Sequence, residues 1–388
     1  MRAARWAVSS VFFTNGVLYA TYVSRIPDIQ ISYDLDYRGV GFVLLTGALG
    51  SLFAMPFTGG LIGRWGSKPV TLVASFSFCL SVALFMLSPT VIILSIVFFL
   101  KGIVAGITDV AMNAQAVLVE RNARRPIMST FHGIFSLGMF VGAGAGTIFI
   151  SQHVSVLHHL FIMAVAGFLF VISMSRHLIK DDLDVSPEKI KNAKYFNFPS
   201  LALVGIGIIS FCAMLAEGAM ADWSTNFMRE VIEASPSLAP VGLSAFSLAM
   251  LAGRLIGDQA RMYFGDQRLI NACSIISLAG LLFIIVGFSA GLAILGFFLA
   301  GLGLSVIVPI VYSKAGNTPG IDPGTGISMV TTIGYSGFIV GPPVIGYLAD
   351  WKGLQIAYLF VLLLLLVMFF LNLRVQKKLR PEHIKKHG

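Results

Sequence analysis

Long apolar runs alternate with short polar segments along the whole chain. Most of these runs reach roughly 18 residues or more, the length that a helix needs to cross about 30 Å of hydrocarbon. Because lipid offers the backbone no hydrogen-bond partners, such runs must be helical. The pattern predicts twelve membrane-spanning helices, at residues 6–24, 38–62, 69–87, 91–119, 131–150, 157–176, 199–221, 240–257, 269–288, 291–312, 326–349 and 354–373.

One polar connection, after the sixth run, is longer than the others. It carries five basic and four acidic residues between Arg176 and Phe198, a composition typical of a solvated linker between two groups of six helices. The predicted domains are an N-terminal six-helix bundle at 1–176, a linker at 177–198, a C-terminal six-helix bundle at 199–373 and a basic tail at 374–388.

Two short patterns occur once in each half. The sequence GGLIGR at Gly59 to Arg64 matches GRLIGD at Gly253 to Asp258, an offset of 194 residues. The sequence GMFVG at Gly138 to Gly142 matches GFIVG at Gly337 to Gly341, an offset of 199. Two unrelated matches at nearly the same offset indicate duplicated halves, related by a pseudo-twofold axis along the membrane normal. Proteins of that architecture enclose a substrate cavity at the midplane of the membrane.

The composition excludes an ordinary soluble protein. The chain is 56% hydrophobic and 12% charged, whereas soluble domains carry about 25% charge, and its mean hydropathy is +0.86. The net charge of +9 lies in short segments between the apolar runs, so we expect no nucleic-acid partner. Cys79, Cys212 and Cys273 fall in separate runs without metal-binding spacing, which predicts helix packing and no metal or cofactor.

Lysine and arginine are distributed unequally between the two sides of the predicted bundle. One side, which includes both termini and the linker, carries 21 of them, and the other side carries 4. Positive residues concentrate on the cytoplasmic side of membrane proteins. The count predicts a multi-pass protein of a bacterial inner membrane with both termini in the cytoplasm.

The polar loop from Gly59 to Pro69, GGLIGRWGSKP, resembles the G-x-L-x-D-R-x-G-R-R signature loop of the major facilitator superfamily. The resemblance extends over the whole chain and implies an all-α membrane protein with the major facilitator fold. The family's aspartate is Gly63 here, and the second half has an acid one place later, at Asp258. The resemblance implies gating roles for Gly63, Arg64, Gly66, Lys68, Arg254 and Asp258.

Within the superfamily, the chain is most similar to the fucose-permease-like sugar and proton symporters and to the uncharacterised bacterial transporters beside them. The stretch TDVAMNAQ, from Thr108 to Gln115, is similar to the acid-x-A-x-N stretch of those symporters. The similarity implies that Asp109 is their helix-four carboxylate and Asn113 their asparagine. Their second acid has no counterpart, because residues 6–24 contain no Asp or Glu. Similarity to the uncharacterised group also covers Arg25 to Pro27, His132 to Gly133 and Glu217 to Trp223.

Ionisable side chains at membrane depth are costly and are functional candidates by default. Three lie inside the predicted spans as candidates: Asp109, Glu217 and Lys101. Asp109 and Asn113 are four residues apart and share one face of a helix. A carboxylate withdrawn from water favours its protonated form and can carry a proton across the membrane. The alternative is that Asp109 only forms a hydrogen bond to a neighbouring helix.

Glu217 and Lys101 each allow more than one role. Glu217 is four residues from the predicted end of its span. Three roles are open for it: a second proton site, an acceptor for sugar hydroxyls, or one half of a gate ion pair with Arg25. Lys101 lies eight residues before Asp109, about 12 Å along the helix and off its face, so the two cannot pair directly. It either pairs with an acid on another helix or binds an anionic group of a substrate.

Other polar and aromatic side chains in or near the spans are candidates for the substrate pocket, although such residues also hold membrane helices together. They are Asn15, Tyr19, Tyr22, Asn113, Gln115, Asn226, Tyr312 and Tyr335.

These observations predict a monomeric secondary active transporter in the lipid bilayer. Its partners are protons and a small-molecule substrate, and the leading hypothesis is proton-coupled symport of a sugar or related polar metabolite by alternating access. The alternatives are a proton-coupled exporter of drugs or metabolites and a uniporter. His177 and Asp182 have the H-x-x-x-x-D spacing of acyltransferases, but they lie in the charged linker without other catalytic partners, so we do not expect an enzyme.

Overall fold

The computed structural model describes residues 2–123, 127–180, 201–316, 318 and 323–378. Within these ranges the chain is helical and contains no strand. The N-terminal half consists of α1 (Arg2–Val23), α2 (Ile26–Ser32), α3 (Tyr37–Trp65), α4 (Ser67–Ala83), α5 (Val91–Ala123), α6 (Met128–Ser151) and α7 (Val156–Ser175). The C-terminal half consists of α8 (Leu201–Glu230), α9 (Val241–Val286), α10 (Ala290–Leu304), α11 (Ile307–Gly316), α12 (Pro323–Lys352) and α13 (Leu354–Lys378).

Nine helices in the described ranges are long and apolar enough to cross a membrane. They correspond to nine of the twelve predicted spans. The other three spans correspond to α1, to α4 and to the first part of α9, where the apolar helices at Ser67–Ala83 and Val241–Gly257 are shorter. The predicted all-α membrane architecture is therefore confirmed, and the count of twelve depends on these three helices.

The internal repeat has a counterpart in the backbone. Gly66 separates α3 from α4 with φ 86° and ψ 155°, and Gly265 interrupts α9 with φ 73° and ψ 156°. Glycine suits both positions because residues with a Cβ rarely adopt positive φ. The two glycines are 199 residues apart, the offset of the second sequence match. α9 thus contains two predicted spans joined at Gly265.

The two halves meet along two pairs of helices, α3 with α12 and α6 with α9. Within the halves, α1 packs on α6, α3 on α5, α8 on α12 and α9 on α10. Glycines allow some of these close approaches. A Cβ on Gly41 would meet the Pro342 carbonyl oxygen across the halves, and a Cβ on Gly138 would meet that of Phe13.

The bundle has two sides, the terminal side and the α2 side. The terminal side carries Arg2 of α1 and Lys378 of α13, and the α2 side carries α2. On the terminal side, Lys68 Nζ donates hydrogen bonds to the main-chain oxygens of Arg176 and Leu178, which ties the start of α4 to the end of α7. Arg64 lies exposed beside the Trp65 ring.

Several predictions involve residues outside the described part of the structure. The surroundings of Gly63 and the side chain of Asp258 are outside it, as are Asp182, most of the linker and the tail from residue 379. The division into 1–176, 177–198, 199–373 and 374–388 stays a prediction.

Candidate functional site

A cavity with two chambers lies between the halves. The larger chamber is about 520 Å³ and the smaller about 290 Å³, and both are lined by Asn15, Ser51, Glu217 and Tyr335. The two chambers adjoin each other along these shared residues. The larger chamber extends toward the terminal side as far as Arg261, and the smaller chamber reaches Lys101, Tyr22 and Asp222 nearer the α2 side.

Asp109 lines the larger chamber from the middle of α5. Asn113 Nδ2 donates to the main-chain oxygen of Asp109 at 2.8 Å and lies 3.3 Å from its carboxylate Oδ1. No lysine or arginine within the described ranges lies at ion-pair distance from Asp109. The carboxylate therefore faces the cavity with an amide of its own helix as its hydrogen-bonding neighbour.

Glu217 of α8 forms an ion pair with Arg254 of α9, with 3.2 Å between Oε1 and Nη2. Arg254 Nη1 also donates to Ser136 Oγ of α6 at 2.8 Å, so this arginine links the two halves. His132 lines the same chamber. The pair places one negative and one positive charge on the cavity wall.

The predicted pairing of Glu217 with Arg25 is wrong in this structure. Arg25 is buried in the N-terminal half, where it donates to Asp28, to His159 Nδ1 and to the Val154 main-chain oxygen. The reason is the length of α8, which ends at Glu230 rather than at the predicted residue 221. Glu217 is thus 13 residues from the helix end, about 20 Å below it at 1.5 Å per residue.

Lys101 lies in the smaller chamber and is 8% exposed. Its ammonium donates to the Tyr22 hydroxyl at 2.9 Å, and it lies 4.4 Å from the centre of the Tyr22 ring and 5.4 Å from that of Phe98. The expected acid on another helix is not found within ion-pair distance among the described residues. The role of Lys101 in binding an anionic group of a substrate stays a prediction.

Asp222 is a cavity residue that the sequence reasoning missed. The Tyr19 hydroxyl of α1 donates to Asp222 Oδ1 of α8 at 2.5 Å, across the two halves. The predicted span ended at residue 221, which placed Asp222 outside the membrane. The apolar residues Phe227 and Met228, both fully buried, were the available signal that the helix continues.

The other candidate pocket residues divide into two groups. Asn15, Tyr19, Tyr22, Tyr312 and Tyr335 line the cavity. Gln115 and Asn226 do not: both are fully buried, Gln115 against Ser67 and the Ile179 backbone and Asn226 against Gln30. A pocket role for Gln115 is therefore wrong here. The reason is rotation, since six positions after Asp109 a helix has turned by about 240°.

A set of polar contacts joins the halves on the α2 side. The residues belong to α2, to the start of α3 and to the ends of α8 and α12. The pairs are Asp28 with Arg229 at 2.9 Å, Gln30 with Asn226 at 2.7 Å, Arg38 with Asp350 at 2.7 Å, and Tyr37 with Glu230. We call them the α2-side contacts.

Comparison with known sequences places the chain among membrane transporters. A family model described as Major Facilitator Superfamily matches residues 8–320 and, in a second alignment, residues 206–388. An uncharacterized MFS-type transporter of Yersinia pestis is 35% identical over 355 residues, covering 92% of this chain and 91% of the relative. Membrane protein MosC of Rhizobium meliloti is 31% identical over 362 residues, covering 92% and 86%.

Solved structures show the same fold at low sequence identity. A mutant of the nucleoside transporter NupG superposes with a TM-score of 0.77 at 12% identity, covering 96% of this chain and 99% of that chain. The human organic anion transporter MFSD10 superposes with a TM-score of 0.62 at 16% identity, covering 95% and 99%. At these identities, the similarity concerns the fold alone.

Proposed function

The chain belongs to the Major Facilitator Superfamily, and from this premise we propose that it is a secondary active transporter that moves a small polar solute together with protons. Alternating access would carry both across a bacterial inner membrane. The observation that carries this proposal is the position of Asp109. Its carboxylate lines the larger chamber and has no cationic partner among the described residues. The fucose-permease-like resemblance supports the same role for this residue.

The lack of a cation beside Asp109 matters for proton coupling. A carboxylate in an ion pair stays charged on both sides of the membrane and carries no proton. Asp109 contacts Asn113 instead, so its protonation can follow the side to which the cavity opens. An ionised side chain at membrane depth costs several kcal/mol, which favours uptake of a proton when the cavity is closed to water.

The α2-side contacts support alternating access. They hold the halves together on one side, while the cavity extends toward the terminal side. Arg38 is 54% exposed in its pair with Asp350, and exposed ion pairs are individually weak, so this pair adds little to the cost of separating the contacts. Rocking of the halves about the cavity would break them and open the α2 side.

The unequal distribution of basic residues supports an orientation with the terminal side in the cytoplasm. In a variant without the three native cysteines, we expect a membrane-impermeant maleimide added to intact cells to label Gln152→Cys, on the α2 side, and not Lys180→Cys. Both residues are exposed, so they form a matched pair. Labelling of Lys180→Cys before the cells are permeabilised would reverse the proposed orientation.

The transport function is tested with purified protein in liposomes. We expect an imposed pH gradient, acidic outside, to drive accumulation of a labelled polar solute above the external concentration. The solutes are sugars, sugar acids and, for the exporter alternative, amphiphilic drugs. Dissipation of the gradient with a protonophore should return the internal concentration to the external one. Accumulation that is indifferent to the protonophore would contradict proton coupling.

A further inference from the structure

The smaller chamber contains a buried cation that has no carboxylate at ion-pair distance among the described residues. Lys101 is more than nine-tenths buried, and the Tyr22 hydroxyl accepts one hydrogen bond from its ammonium. An ammonium has three N–H donors. The rings of Tyr22 and Phe98 cover other sides of the group. Within the described ranges, no carboxylate lies close enough to form an ion pair with it.

The two acids of the same chamber have other partners. Glu217 is paired with Arg254, and Asp222 accepts the Tyr19 hydroxyl at 2.5 Å. Asp222 is near enough to interact electrostatically with Lys101, but neither acid contacts the ammonium. A buried charge without a partner is unfavourable, so the arrangement favours an anionic group that arrives with a ligand.

We propose that the ammonium of Lys101 binds the carboxylate of the transported solute, and that this solute is a small monocarboxylic acid carrying hydroxyl groups. This inference rests on the proposed transport function and names its substrate class. The chamber of about 290 Å³ limits the solute to a small molecule. Asn15, Tyr19 and Tyr335 supply amide and hydroxyl groups along its wall, which suits a hydroxylated carbon chain.

The charges of the chamber favour a carboxylate over a phosphate ester or a neutral sugar. A phosphate dianion would bring a second negative charge near Glu217 and Asp222, while Lys101 offers a single point charge. A neutral sugar would displace water from the ammonium of Lys101 and would supply no negative charge in its place. A monoanion adds a single negative charge, which the ammonium of Lys101 can contact directly.

The proposed anion site and the proposed proton site are separate. Lys101 precedes Asp109 by eight residues on α5, about 12 Å along the helix. A carboxylate at Lys101 and a proton on Asp109 can thus be bound at the same time. One monoanion crossing with one proton moves no net charge, so transport of this solute is expected to be electroneutral.

The test measures binding to the purified full-length protein by calorimetry. The probes are D-glucuronate, its neutral amide D-glucuronamide as the matched control, D-glucose 6-phosphate, and hydroxy monocarboxylates of three to six carbons. We expect glucuronate or a shorter hydroxy acid to bind, and the amide and the phosphate ester not to bind. Lys101→Met should weaken carboxylate binding roughly thirtyfold or more, because truncation removes one partner of a buried charge pair. Lys101→Arg, which keeps the charge, should retain most of the affinity.

A measurement without ligand covers the case in which a variant folds poorly. Because no described carboxylate forms an ion pair with Lys101, Lys101→Met should raise the thermal unfolding midpoint of the empty protein and abolish the further rise caused by the carboxylate. The inference is overturned if Lys101→Met binds the carboxylate as the parent does, if the amide binds as tightly, or if none of the acids binds. A neutral solute accumulated by the pH gradient would overturn the inference and leave proton-coupled transport standing. Binding of a carboxylate that the pH gradient does not accumulate would support the inference and contradict proton-coupled transport.

Discussion

Replacing Asp109 with asparagine is expected to abolish concentrative uptake while substrate binding and exchange without a gradient persist. The amide has nearly the shape of the carboxylic acid but cannot take up or release a proton. Substrate can still move down its own gradient, because binding and rocking of the halves do not need the proton. The proton gradient then no longer biases the cycle. The internal to external ratio should fall to about one in liposomes with an imposed pH gradient.

The Asp109→Asn experiment compares two assays on one preparation. Gradient-driven accumulation is measured at several pH values, and counterflow is measured without a gradient. Asp34→Asn provides a matched control, since it makes the same change at an exposed aspartate that lines neither chamber. A variant Asp109→Asn that accumulates substrate with the pH dependence of the parent would show that the carboxylate is structural. Glu217 or His132 would then become the leading proton site.

Breaking the ion pair between Glu217 and Arg254 is expected to have the second largest effect. Removing one partner of a fully buried pair costs about 3–5 kcal/mol. Glu217 is 23% and Arg254 17% exposed to the cavity, so we expect a smaller loss, about 1–3 kcal/mol of unfolding free energy for Arg254→Gln or Glu217→Gln. The double variant removes both charges and should recover much of that loss. Transport should fall in the single variants, because an uncompensated charge then lines the cavity.

A double-mutant cycle measured by chemical denaturation checks this prediction. The control is Asp266→Asn. Asp266 forms an ion pair with Arg261 at 2.6 Å, and both side chains are about one-third exposed. Exposed pairs contribute about 0–1 kcal/mol. Additive losses for Glu217→Gln and Arg254→Gln would mean that the pair contributes nothing to stability. Ser136→Ala measures what the second contact of Arg254 contributes, because this variant keeps the ion pair and removes the hydrogen bond between the halves.

The superfamily and the helical architecture were predictable because both follow from properties read along the chain. Apolar length decides which segments cross a membrane, and most predicted spans end within a few residues of the observed helices. The repeat was also visible in the sequence, since GGLIGR and GMFVG of the first half match GRLIGD and GFIVG of the second half. The end of α8 was the main error, because a polar run containing Asp222 interrupts the apolar pattern without ending the helix.

The sequence alone determined that Asp109, Glu217 and Lys101 lie at membrane depth, because hydropathy is local. The tertiary structure alone decided the partners of Glu217 and Lys101. Glu217 meets Arg254 rather than Arg25, and Lys101 meets Tyr22 rather than an acid. Such partners lie on different helices, 37 and 79 residues apart in the chain. Which side chains meet depends on helix length, rotation and crossing, and these are set by packing across the whole bundle.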